Sequence, residues 1–277
     1  MKQSIDHQLT IYYVLVDNFL KQQPQLAAWR QSNNAAPPFT DAEVITLALM
    51  QSYFGCATLS QTYHLVRANA APAFPRLCGY KQWLARLHRL SPIIGGLVVV
   101  SAGTPDSPYY VLDSKPIPVC HPLRHGRVRL LREDGAYFSK STKGWFFGFK
   151  LHGIVNSRGL VMGAIFTPAN TDDRDPALAL AWSVDGGLAL ADLGYRGEEL
   201  RDLLETEAAL LLLTPADAPP PQKALLSSLR ERVETSFSQL WSRFVDLVYS
   251  RSWNGLWNTI KLKMLAFNLA QSGLIPA

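Results

Sequence analysis

The chain has 277 residues, 48% of them apolar, enough for one large core or two small ones; its longest apolar run, residues 93–102, falls well short of the about 20 residues that a membrane-spanning helix needs. Three widely spaced cysteines (Cys56, Cys78 and Cys120) argue against a disulfide framework and against a CxxC zinc site. The net charge of +5 is carried by residues 121–150, which hold seven basic side chains (Arg124, Arg127, Arg129, Arg132, Lys140, Lys143 and Lys150) against Glu133 and Asp134, and so concentrated a basic segment points to a polyanion, nucleic acid first.

The first hundred residues read as helical. Ile5, Leu9, Tyr12, Val16 and Phe19 recur at steps of three and four, one face of an amphipathic helix. This opening has no basic-then-apolar leader pattern, so a cytoplasmic protein is expected. Thr40-Asp41-Ala42-Glu43 is a capping box and predicts a helix to about Tyr53. Further helices are expected at 59–70 and 80–90. Short helices with scattered arginines are compatible with a DNA-reading helical domain, and equally with a plain packing domain.

From about residue 108 the texture changes to strands. Tyr109 to Leu112 is a short apolar run, consistent with a buried strand that ends at Asp113. Residues 147–155 and 160–166 flank the turn cluster Asn156-Ser157-Arg158-Gly159 and read as a hairpin. A helix is expected over 172–182, with Asp172, Asp173 and Asp175 as first-turn or capping acids. Strands over 188–191 and 209–213 bracket a helix at 197–207. A long helix follows the Pro-rich loop, with Leu229, Val233, Phe237, Leu240 and Phe244 on one face. A last amphipathic helix covers 258–269. The order implies a mixed α/β arrangement around one central sheet.

Three carboxylates stand out. Asp113 and Asp192 each follow an apolar strand, where ligands sit in open α/β sheets. Glu234 lies beside the buried face of the long helix. Close anions repel unless cations lie between them, and hard oxygens suit Mg²⁺ or Mn²⁺. Two such ions can activate a water or 3′-hydroxyl and stabilise the leaving oxygen of a phosphodiester. Singly, each acid also fits an ordinary role: a turn aspartate, or a helix glutamate paired with Arg230.

The stretches VLDSKPIPVCH (111–121), KGWFFGFKLHGIVN (143–156), TPANTDDRDP (167–176), ADLGYRG (191–197) and RERVETSFSQL (230–240) resemble the DDE transposases of bacterial insertion sequences, most of all the family numbered nine-eight-two. FPRLCGYKQW (74–83) fits as well. The resemblance implies an RNase H-like catalytic domain over 101–277, preceded by a small helical domain over 1–100 that binds DNA ends. It implies Asp113, Asp192 and Glu234 as ligands of two Mg²⁺ or Mn²⁺ ions. It implies double-stranded DNA as partner, nicking at terminal inverted repeats, joining of 3′-hydroxyls to target DNA, and a homo-oligomer when two ends are synapsed. Arg230 matches the family arginine four residues before the glutamate. Arg124, Arg127, Arg129, Lys140, Lys143, Lys150, Arg230 and Trp241 are the expected DNA contacts, with aromatics of the basic segment available to stack on bases. Two positions depart from the family pattern. Trp241 stands where a lysine is usual, and Leu193 replaces the lysine of DKGY, so weaker strand transfer is expected. The competing readings are a decayed or domesticated DNA-binding protein without chemistry, and a metal nuclease that cuts without joining.

Overall fold

The computed structural model describes residues 4–29, 36–103, 107–127, 129, 131–141, 144–217, 224, 227–229, 231, 235, 238, 240 and 250–274. Its helices are α1 (Ile5–Gln22), α2 (Asp41–Phe54), α3 (Leu59–Asn69), α4 (Tyr80–Arg89), α5 (Ser91–Ser101), α6 (Ala177–Ala181), α7 (Glu198–Ala208) and α8 (Trp253–Gln271). Its strands are β1 (Tyr110–Cys120), β2 (Tyr137–Ser141), β3 (Gly144–Asn156), β4 (Val161–Pro168), β5 (Gly187–Leu190) and β6 (Leu210–Leu213). They divide into two compact units: Met1–Ser101 with Leu240–Ala277, and Ala102–Gln239.

In the helical unit, α2 is the centre. Val44, Ile45, Leu47, Ala48, Leu49 and Met50 are all buried, so the helix is enclosed on every side, with α1, α3, α4 and α8 as neighbours. The expected capping box is present: the Thr40 hydroxyl accepts from the Glu43 amide, and the Glu43 carboxylate accepts from the Thr40 amide. The Trp83 indole donates to the Val44 carbonyl at 3.2 Å, which satisfies a buried N–H that would otherwise be costly. The C-terminal helix α8 packs on α5. Asn268 Nδ2 donates to the Val98 carbonyl at 3.1 Å and to Ser101 Oγ at 3.2 Å. Assigning 101–277 to one catalytic domain therefore differs from the packing, which places α8 with the N-terminal helices.

The second unit is a mixed sheet ordered β2-β3-β1-β5-β6, with β4 also paired to β3. β3 is long enough to hold two strands end to end on one edge: β2 against its first five residues and β4 against Phe149–Val155. β1 runs antiparallel along its other edge. β1, β5 and β6 are mutually parallel. Tyr110, Leu112, Ile154, Met162, Ala189 and Leu212 meet Ala177, Leu180, Leu200 and Leu204 of α6 and α7 in one core. The register of β1 and β3 shifts between Pro118 and Cys120, opposite Gly148. A Cβ at Gly148 would run into the Ile117 carbonyl, so the close approach there requires glycine.

Three local expectations change. The strand expected to end at Asp113 continues to Cys120. Pro116 and Pro118 obscure it in the sequence, because proline cannot donate to a ladder. They are tolerated because, among the described residues, this part of β1 pairs with β3 alone and its other edge needs no donor. The helix expected over 172–182 shrinks to α6, since the Asp172 carboxylate takes the Arg174 amide in a turn and Pro176 stands at the N-cap. These aspartates therefore do not cap α6. The strand β2 is additional; its sequence, YFSKS, lacks an apolar run.

Candidate active site

Asp113 is the fourth residue of β1. The parallel pairing with β5 covers only Tyr110–Ala189 and Val111–Leu190, so on that side Asp113 lies just beyond the end of the ladder. The Ala191 amide still donates to Leu213 of β6 at 3.1 Å, and Asp192 keeps an extended backbone (φ −80°, ψ −179°). Asp113 and Asp192 each lie two residues past the last paired residues, Val111 and Leu190, at the same end of the two parallel strands. The ladder stops here because Asp192 turns the chain. Its Oδ1 accepts from the Gly194 amide at 2.8 Å and caps the short turn Leu193–Tyr195.

Each carboxylate has a distinct setting. Asp113 Oδ1 accepts from the Ser114 amide at 2.8 Å, and Oδ2 pairs with Lys115 Nζ at 2.8 Å. Lys115 is two residues on and so shares the Asp113 face of the strand. Asp192 is exposed. A third carboxylate reaches the same place from the segment between β4 and α6. A Cβ at Gly194 would stand 2.9 Å from Asp192 Oδ1 and 3.6 Å from Asp173 Oδ2. The other oxygen of Asp173 pairs with Lys150 Nζ at 2.9 Å, and Lys150 also donates to the Thr171 carbonyl at 2.8 Å.

Two buried polar side chains back this group. His152 is fully buried; Nε2 lies 2.8 Å from Thr167 Oγ1, and Nδ1 lies 3.7 Å from Asp173 Oδ1. Burial pulls its pKa down to about 4, against the opposing pull of Asp173. The ring is therefore neutral at neutral pH. Tyr195 is 1% exposed, and its pKa is pushed well above 10, first by burial and then by Asp173, Asp113 and Asp192. The same electrostatic influence includes Asp172, the neighbour of Asp173.

Of the expected DNA contacts, Arg124, Arg127, Arg129 and Lys140 are exposed, while Lys150 is half-buried at the carboxylates. Glu234, Arg230, Trp241 and Lys143 lie outside the described residues. The described residues flanking Glu234, including Glu231, Thr235 and Ser238, are helical. In the basic segment, Phe138 and Trp145 stack at 5.1 Å between centroids, with Lys140 Nζ 5.9 Å from the Trp145 ring centroid. Phe147 and Phe149 are buried in the sheet. Among the described residues no group of three or more His, Cys, Asp or Glu side chains is gathered closely enough to hold a metal ion.

Residues 103–239 match the family model for the transposase DDE domain. The match supports a DDE transposase. It nearly coincides with the sheet unit, Ala102–Gln239. A DDE domain implies an RNase H-like fold, which accords with the mixed sheet and its flanking helices. It supports a polynucleotidyl transferase or nuclease at a general level, of a kind that generally uses divalent metal ions. No curated protein and no solved structure matches the chain.

Lys115 and Tyr195 beside these carboxylates carry no mark of their own in the sequence, and Asp173 reads there as a helix cap. The one available signal was the alternation in Asp113-Ser114-Lys115, which puts an acid and a base on one strand face.

Proposed function

We propose that this chain is the transposase of an insertion sequence of the family numbered nine-eight-two. It binds the terminal inverted repeats, nicks the DNA there, and joins the freed 3′-hydroxyls to target DNA. What supports this reading is that Asp113 and Asp192 each follow, by two residues, the last paired residues of β1 and β5, Val111 and Leu190. Their all-oxygen donor set fits Mg²⁺ or Mn²⁺, since Mg²⁺ takes one or two protein carboxylates and completes its shell with waters and substrate phosphates. Asp113, Asp192 and Glu234 would hold two such ions. When bound, the ions lower the cost of charge on the attacking and leaving oxygens of the phosphodiester.

The chain's own groups position the DNA. Arg124, Arg127, Arg129 and Lys140 offer exposed cations along the backbone path. Lys115 offsets the charge of Asp113, with which it pairs at 2.8 Å. Lys115 and Lys150 also bring positive charge to the carboxylates, where Leu193, 60% exposed, brings none. Two copies of the chain would act together, because two ends must be synapsed.

The test is cutting and joining of DNA that carries the element ends, with Mg²⁺ and a target plasmid. Asp113→Asn and Asp192→Asn are expected to abolish both reactions while end binding persists, and EDTA is expected to do the same. Retained cutting by either variant removes that residue from the site. Cutting without joined products points instead to a nuclease.

A further inference from the structure

Lys150 is held at the site by groups outside the proposed triad. Its ammonium has three hydrogens. One goes to the Thr171 carbonyl and one to Asp173 Oδ1, which among the described residues leaves a third for a ligand. Asp173 carries this cation to the carboxylates, because its other oxygen and Asp192 Oδ1 share the space above Gly194. Two buried polar atoms have no hydrogen-bond partner among the described residues: His152 Nδ1, 3.7 Å from Asp173 Oδ1, and the hydroxyl of Tyr195, the residue that follows Gly194. Such atoms are costly to leave unsatisfied. A closed structural ion pair would not need them, whereas a pocket that receives a polar ligand does.

Resting on the transposase reading, we propose that Lys150 seats the scissile phosphate of DNA and that Asp173 is its positioning residue. The ligand class follows from the chemistry: a third ammonium hydrogen and a buried phenol suit an oxyanion with several acceptor oxygens. Asp173 fixes where the ammonium stands, and its negative charge keeps that ammonium from binding phosphate out of place. Removing the charge therefore leaves the cation available for binding but no longer aimed.

The test uses the full chain, Mg²⁺ and a duplex oligonucleotide carrying the element end. Lys150→Gln is expected to make the log-log salt slope of binding shallower by about 0.9, the loss of one phosphate contact. Asp173→Asn is expected to lower kcat by about tenfold or more, with affinity unchanged or tighter and Tm unchanged; Asp173→Glu is expected to restore part of kcat. An unchanged slope in Lys150→Gln overturns the proposal. So does wild-type kcat in Asp173→Asn, or a joint loss of affinity, kcat and Tm there, which marks a merely structural residue. A wild-type chain that neither cuts nor joins overturns the transposase reading itself, an outcome distinct from these.

Discussion

A methyl group at Gly194 would stand 2.9 Å from Asp192 Oδ1, the oxygen that accepts the Gly194 amide. The carboxylate would have to turn away, and its capping bond would go with it. Gly194→Ala is therefore expected to lower the DNA-cutting rate by about tenfold, equal to about 1.4 kcal/mol of barrier, while Tm moves little. Single-turnover cutting beside a thermal melt checks this, and a wild-type rate would show that Asp192 has room to spare. Gly194 shows what one residue of sequence reveals and what it hides. Asp113 and Asp192 are legible because each directly follows an apolar run. Asp173 is not, since its partner Lys150 is brought to it by strand pairings that no local pattern encodes. Tyr195 hides for the same reason: only the fold buries its hydroxyl within the electrostatic reach of aspartates from separate segments.

At the scale of elements, the sequence shows best those whose stability is local. α2 starts where its capping box says it should, and the β3–β4 hairpin turns at Asn156 to Gly159. Elements that depend on a distant partner are harder to read. β1 extends past Asp113 through two prolines because β3 lends it hydrogen bonds from one side. α8 carries Lys263 at 7% exposure, which no amphipathic pattern would place inside. Burial drags the Lys263 pKa down to about 8, against about 10.4 for an unfolded lysine. Between those values the unfolded chain holds a proton that the folded chain has lost, so stability rises with pH and is forfeited as pH falls toward 8. Lys263→Met is expected to raise Tm at pH 7 by about 2–4 °C, the shift per kcal/mol for a chain of this size, and to gain less than wild type on going to pH 9.5. Melting curves of both chains at the two pH values decide it.

For the whole molecule, charge is the quantity most easily read from sequence and the one that most directly predicts behaviour. Seven cations lie in residues 121–150, and those seen on the surface include Arg124, Arg127 and Arg129. If all seven meet phosphates, the log-log salt slope of DNA binding approaches roughly −6. Changing Arg124, Arg127 and Arg129 together to glutamine is expected to make it shallower by about 2.7, as a fluorescence-anisotropy salt titration would record. An unchanged slope would mean a solvated basic loop. The packing of α8 on α5 bears on how the chain is made. The sheet unit is encoded between the two parts of the helical one. At about 5–20 residues per second, roughly 10–30 s of translation separate the emergence of α5 from that of α8. Throughout that interval α5, with its buried Ile94, Leu97 and Val98, lacks the helix that later packs on it. A message broken before α8 would yield a sheet unit with all its strands but a helical unit lacking its last member. Such a product would expose Ile94, Leu97 and Val98 to proteases and to other chains.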